Sequence, residues 1–329
     1  MNRFSVGIWA YGNCCDRFNE GGYQQTRSFR EKIAQAAETT GLDGVEIHFA
    51  GDFDSKTVLE TSRIVQDSGL AVSAVNVNTF GTAEFKNGAF TSPCASVREL
   101  TIDRTLQAAE AAQSLGAGLI NLWPGSDGYD MPFQVDHAQQ WQWMVEGLEQ
   151  VATRCGDVRI ALEYKHREPR VRSTIDSAAK ALLACLETGC SNLGVTLDFG
   201  HSLQCKENPA HAASLLSHYK KLFHLHLNDN SRDWDDDLIV GCYHIPETVE
   251  LMTALQRLEY DGWMGLDMSP ARDNQVDSVA HSISLLKYFK TVAETSLQQG
   301  LVSELAEHQS LRAQKIVQNI LFTAGGCHA

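Results

Sequence analysis

The sequence predicts an α/β protein: a (β/α)8 TIM barrel over residues 1–292, with a C-terminal helical extension over residues 293–329. Two observations carry this. Short apolar runs alternate with longer amphipathic ones along the chain, the pattern of strands each followed by a helix. Several of the runs also end in a carboxylate or an imidazole. Side chains from many strand ends converge in few architectures, and the commonest is a parallel barrel with its site at the strands' carboxyl ends. A doubly wound open sheet is the alternative, but it usually gathers its ligands at one switch point, whereas here both halves of the chain carry candidate residues.

The expected strands are Phe4–Trp9, Gly44–His48, Ala71–Asn76, Leu119–Leu122, Arg159–Glu163, Gly194–Asp198, Leu222–His226 and Met264–Asp267. Glycine-containing turns precede several of them, as in Gly41-Leu42-Asp43-Gly44 and Asp261-Gly262. Helical spacing places Ile33, Ala36 and Ala37 on one face of Arg27–Thr40, and Leu100, Leu106, Ala109 and Ala112 within Val97–Leu115. Val135–Arg154, Thr174–Thr188, Pro209–Tyr219, Glu247–Leu258 and Gln275–Thr291 complete the helices. Beyond them, Glu294–Ala324 has an intermittent apolar face (Leu297, Leu301, Leu305, Ile316, Val317, Ile320) that would dock on its own barrel or on a neighbouring subunit, and Gly325-Gly326 should end any helix there.

Composition narrows the function. A net charge of -14 repels phosphate backbones and argues against nucleic acid, but not against an uncharged small molecule. The nine cysteines are scattered without a CxxC pair and read as reduced thiols of a cytoplasmic protein. No run has transmembrane length and no signal peptide is expected, so no membrane partner is expected either.

The chemistry-bearing residues each have a plain alternative. Glu163 and Lys165 share a strand face; they are either a buried ion pair, or a metal-ligating carboxylate beside a cation that polarises a carbonyl. Asp198 is either a helix cap or, with His201, a metal-binding pair. Of His224 and His226, the latter lies nearer the strand's carboxyl end and is the better ligand, with His224 one layer deeper. The run Asp235-Asp236-Asp237 would be solvated by composition, yet Trp234 and Leu238 flank it, and Asp235 and Asp237 could grip one cation while Asp236 points away. Asp267 would cap the following turn or be a further ligand. Carboxylate oxygens with a few imidazole nitrogens suit Mg²⁺, Mn²⁺ or Co²⁺, and the absence of cysteine from these strand ends argues against a structural zinc site.

Longer segments carry a resemblance. Glu163-Tyr164-Lys165-His166-Arg167-Glu168-Pro169-Arg170 is similar to a Glu-x-Lys-Pro-x-Glu-Pro-Arg segment, with His166 in place of Pro. Phe85-Lys86-Asn87-Gly88-Ala89-Phe90-Thr91-Ser92 followed by Val97-Arg98, Gly116-Ala117 with Trp123, His226-Leu227-Asn228, Asp235-x-Asp237-Leu238 and Asp267-Met268-Ser269-Pro270 follow in the matching order. On these segments the chain resembles the xylose isomerase-like superfamily, and within it the metal-dependent aldose–ketose isomerases.

That resemblance implies two divalent metals per subunit, one held by Glu163, Asp198, His226 and Asp267 and a catalytic one by Asp198, His201, Asp235 and Asp237, with Asp198 bridging. It implies catalytic roles for Lys165, His48, Glu163 and Asp267, with Asp52 behind His48. Trp123, His201, Trp9 and Phe90 are the implied substrate contacts. A monosaccharide substrate, a homo-dimer or homo-tetramer and a metal-assisted hydride shift complete the expectation; proton transfer through an enediol, with Glu163 or Asp267 as base, is the competing route. Two positions depart from the family pattern: Asp198 stands where Glu is frequent, and His226 where xylose isomerases proper carry Asp and rhamnose-type isomerases and related epimerases carry His. The neighbouring activity is a ketose 3-epimerase, which tends to carry Glu at the position of Asp267 and to run on one metal.

Overall fold

The computed structural model describes residues 3–323. Eight parallel strands close into a barrel: β1 (Phe4–Gly7), β2 (Gly44–Phe49), β3 (Ala71–Val77), β4 (Leu119–Leu122), β5 (Arg159–Glu163), β6 (Leu193–Asp198), β7 (Leu222–Leu227) and β8 (Met264–Leu266). Closure is made by β1 against β8, with Phe4 opposite Met264 and Val6 opposite Leu266. All eight expected strands are present, within two residues of the expected bounds. The first is the shortest relative to expectation, because Ile8–Tyr11 coils into a 3-10 turn that lays Trp9 across the barrel mouth instead of along the wall.

The barrel strands are buried almost throughout, as expected of strands covered by helices on one face and packed with side chains on the other. Val45, Ile47, Val75, Ile120, Ile160, Leu162, Val195, Leu197 and Leu225 are 0% exposed and belong to one continuous apolar cluster with the surrounding helices. Burying a Val, Leu or Ile side chain is worth about 1.5–3 kcal/mol, so this layer resists movement of the strand ends above it.

Seven helices lie close to their expected positions, and two more were not anticipated. Val58–Asp67 lies outside the expected helices; it is a short helix that buries Thr61 and Val65 and leaves Leu59 exposed. Phe199–Gln204 is too short to show a period. A two-stranded antiparallel ribbon, Gly128–Tyr129 with Arg172–Ser173, also lies outside the expected pattern.

The last long helix, Gln275–Gln298, runs without a break across the expected 292/293 boundary. Leu301–Ala306 and Ser310–Thr323 follow it. They fold back on their own barrel: Tyr288 Oη donates to Leu321 O (2.8 Å), and Val317, Ile320 and Leu321 pack on the core. Gly325-Gly326 lies outside the described residues. The eight described cysteines are free thiols. Among the described residues no helix is long and apolar enough to cross a membrane.

Candidate active site

Register brings the strand ends to one height. Asp198 on β6 pairs with His226 on β7, and His226 pairs with Gly265 on β8, two residues before Asp267. Glu163 pairs with Thr196, two residues before Asp198 on β6 and therefore on the same strand face. The result is a cluster in which Glu163, Asp198, His226 and Asp267 each offer a ligand atom within 4.8 Å of the others. Asp198, His201 and Asp235 form a second such group, so Asp198 belongs to both.

Asp198 shows that its two readings are not exclusive. Its Oδ1 accepts from His201 N (2.7 Å) and caps the helix Phe199–Gln204. Its Oδ2 accepts from Asn228 Nδ2 (3.1 Å) and faces His226 Nδ1 at 3.9 Å. Glycine at 200 keeps this arrangement: a Cβ there would fall 2.3 Å from Asn228 Oδ1 and crowd the amide that donates to Asp198.

Glu163 and Lys165 do not pair with each other. Glu163 accepts from Asn121 Nδ2 (2.6 Å) and lies 3.2 Å from His226 Nδ1. Lys165 instead reaches Asp235 Oδ2 (2.7 Å) and Glu168, with its ammonium 4.9 Å from the ring centroid of Trp123. Asp235 Oδ2 also meets His201 Nε2 at 3.1 Å. Asp236 turns away, accepting from Ser231 N and Oγ (2.9 and 2.6 Å). Asp237 lines the same cavity but is not in the tight group with Asp198, His201 and Asp235.

The buried acids repel one another, and their proton affinities show it. Burial, together with neighbouring Asp235, Glu163 and Asp267 and against the pull of His201, pushes Asp198 up to about 7. Burial and the carboxylates of Asp235 and Asp267 raise Asp237 well above the carboxylate range. Asp267 is raised by burial, against the pull of His226. Burial opposes the charged imidazoles, yet Asp198 and Asp235 bring His201 to about 10, and Glu163 and Glu46 hold His226 well above its usual value. Glu163 resists its burial and drops to about 2 beside His226 and His201. Buried Asp235 Oδ1, Asp237 Oδ1 and His201 Nδ1 make no protein hydrogen bond. An excess of desolvated carboxylates with unsatisfied oxygens pointing inward fits a hard divalent cation.

This cluster forms one side of a cavity of about 290 Å³, at the small end of the ~300–1,000 Å³ typical of ligand pockets. The opposite side is aromatic. Trp9 stands 4.6 Å from His48, His48 6.4 Å from Phe80, and Phe80 4.5 Å from Trp123, by ring centroids. Trp9 Nε1 donates to Asp267 Oδ1 (2.7 Å) and joins the two sides. Asp52 accepts from His48 N (2.9 Å) and from Lys32 Nζ (2.6 Å), leaving His48 Nδ1 3.8 Å away. Burial lowers the proton affinity of the His48 imidazole and favours the neutral ring.

Most of the expected site residues therefore line one cavity: Trp9, His48, Trp123, Glu163, Lys165, His201, His226, Asp235, Asp237 and Asp267, with Asp198 among the cluster beneath. Phe90 does not. It is 1% exposed and packs over Gly147, where a Cβ would meet its ring at 2.5 Å. Asp127 draws that segment inward, accepting from Ala89 N, Phe90 N, Thr91 N and Thr91 Oγ1. Sequence reasoning missed Phe80, Asn76 and Asn121, which also line the cavity, and Glu46, which meets His226. Glu46 could have been found: it sits two residues before His48 and shares its strand face.

A parallel barrel with a carboxylate–imidazole cluster at the carboxyl ends of its strands defines the class: a (β/α)8 barrel with a candidate cation centre in its mouth. The chain belongs to the xylose isomerase-like TIM barrel family, whose profile matches residues 33–289. It is 27% identical over 293 residues to the xylose isomerase of Thermus thermophilus, covering 84% of this chain and 75% of that protein. Among solved structures, an L-ribulose 3-epimerase superposes with a TM-score of 0.70 at 16% identity, over 91% of this chain and 98% of the other. The 3-keto-D-glucoside 4-epimerase of E. coli does so with 0.66 at 18% identity, over 87% and 99%. At these identities the structural likeness is one of fold.

Proposed function

We propose that the protein is a metal-dependent sugar isomerase that interconverts an aldose and a ketose of the xylose or rhamnose type. The observation that carries this reading is the placement of Lys165: a buried ammonium directed into the cavity between Trp123 and Asp235, facing the carboxylate–imidazole cluster. The 27% identity to a xylose isomerase over most of the chain supports it.

Glu163, Asp198, His226 and Asp267 would hold one divalent cation, and Asp198, His201, Asp235 and Asp237 a second. Mn²⁺, Co²⁺ and Mg²⁺ suit these donors. Such ions, when bound, draw charge from adjacent sugar oxygens and so favour the charge that develops there during reaction. The chain's own groups do the rest. Lys165 Nζ donates to the carbonyl oxygen of the open-chain sugar and stabilises negative charge on it. Trp9, Phe80 and Trp123 cover the sugar's C–H face and exclude water from C1 and C2. His48, kept neutral by burial, takes the proton of the anomeric hydroxyl and passes it to the ring oxygen as the ring C1–O bond breaks and the carbonyl forms. His201 contributes a further polar contact to the substrate. The subunits would assemble as a homo-dimer or homo-tetramer in the cytoplasm.

A ketose 3-epimerase is the second reading, favoured by one observation: Asp267, with its raised proton affinity, lies in the same cluster as the strongly acidic Glu163. Two carboxyls of unlike proton affinity could take a proton from one face of a ketose and return one to the other. A panel of aldoses and ketoses with Mn²⁺, Co²⁺ or Mg²⁺, its products identified by NMR, separates the two. Conversion of an aldose to its ketose is expected. A C3 epimer as sole product, or no turnover of any sugar, overturns the isomerase reading.

A further inference from the structure

We propose that Glu46 is a positioning residue for the cation centre, setting which nitrogen of His226 faces the metal and tying that imidazole to Glu163 through a chain of buried hydrogen bonds. The inference rests on the cation-centre reading above. Glu46 is 0% exposed, one layer below the strand ends. Its Oε2 accepts from His226 Nε2 (3.1 Å) and Asn76 Nδ2 (3.0 Å), and its Oε1 from His224 Nε2 (2.8 Å). Asn76 Oδ1 accepts from Asn121 Nδ2 (2.7 Å), which also donates to Glu163 Oε2 (2.6 Å). Glu163 Oε1 lies 3.2 Å from His226 Nδ1, so both ends of this chain of bonds meet at the cation centre.

An imidazole has two nitrogens, and the cluster can use only one. Glu46 engages Nε2 and so holds a proton there. Nδ1 is left facing Glu163, Asp267 Oδ2 (3.5 Å) and Asp198 Oδ2 (3.9 Å). A carboxylate behind a ligating histidine fixes its tautomer and strengthens its donor nitrogen. The fold reserves room for this acid: a Cβ at Gly265 would lie 2.7 Å from Glu46 Oε1.

The test is calorimetric titration of the metal-free full-length chain with Co²⁺, with the visible spectrum of the bound ion recorded alongside. Wild type that binds no Co²⁺ removes the cation-centre reading itself, and this inference with it. If wild type binds, Glu46→Gln with native circular dichroism should weaken the tighter site about 10–100-fold and shift the Co²⁺ spectrum. Equal affinity and an unchanged spectrum overturn the role of Glu46 while leaving the centre intact. Should Glu46→Gln fail to fold, wild type decides the point. Long-range proton–nitrogen correlation NMR of the Zn²⁺-loaded chain should show His226 protonated at Nε2. A proton at Nδ1, or metal at Nε2, overturns the inference.

Discussion

Lys165 Nζ and Asp235 Oδ2 are 2.7 Å apart, and the same oxygen lies 3.1 Å from His201 Nε2. The ammonium thus shares a carboxylate with the second ligand group while its other side faces the Trp123 ring. Removing the charge but not the length, Lys165→Met, should lower kcat about 10²–10³-fold, the scale for losing one oriented electrostatic donor. Metal binding should survive, because Asp235 loses only a competitor for its oxygen. Near-wild-type turnover, or loss of both cations in calorimetry, removes Lys165 from the proposed mechanism.

Asp235 and Asp237 each keep a buried oxygen without a protein partner, whereas the group of Glu163, Asp198, His226 and Asp267 is complete without them. The double variant Asp235→Asn with Asp237→Asn should therefore abolish one cation site and retain the other. Stoichiometry by calorimetry or by elemental analysis checks this. Loss of both sites, or of neither, contradicts the two-site assignment.

Asp198 serves a helix and a cluster at once. Asn keeps an oxygen for His201 N but no charge, whereas Ala keeps neither. Asp198→Asn should leave the metal-free protein folded with cation affinity lost. Asp198→Ala should cost a further ~0.5–2 kcal/mol in the metal-free state, the usual range for an N-cap. Chemical denaturation of the two variants in chelator gives the difference. Equal stabilities would show that the cap contributes nothing.

The pH dependence has a definite sign. Asp198 is raised to about 7 and Asp237 and Asp267 are raised as well, so the stability tied to their protonation is present at acid pH and is lost as pH climbs through those values. His201, at about 10, and His226 are raised too, and their contributions fall with rising pH in the same way. The acids lowered in the cluster, Glu163 and Asp235, act at the acid end, where their contribution is lost as pH falls. Metal-free protein should thus lose stability between about pH 4 and 10, through Asp198 from 3.8 to about 7 and through His201 from 6.5 to about 10. Divalent cations neutralise the exposed repulsion, so the gain in Tm on adding Mn²⁺ should widen over that interval. A gain independent of pH would show that these groups do not titrate against the cation.

Read alone, the chain was most informative where one face of a strand is buried and its last residue is polar. Glu163, Asp198, His226 and Asp267 stood out because a carboxylate or imidazole at the end of an apolar run is costly unless it has a purpose. The same logic was silent about Asn76, Asn121 and Phe80, since an amide or an aromatic at such a place is unremarkable in sequence. It misdirected Phe90, whose direction is set by the distant Asp127 and by the space above Gly147.

The order of strands, the barrel and the cast of candidate ligands are thus local properties: alternation of hydrophobicity and the chemistry of strand ends, both written within a few residues. The partners are not. Lys165 could have paired with Glu163 two residues away, and turns instead to Asp235, seventy positions along. His226 is held from behind by Glu46, 180 positions earlier. Such pairings depend on register around a closed sheet, and only closure of the barrel, which brings β1 against β8 and Trp9 onto Asp267, decides them.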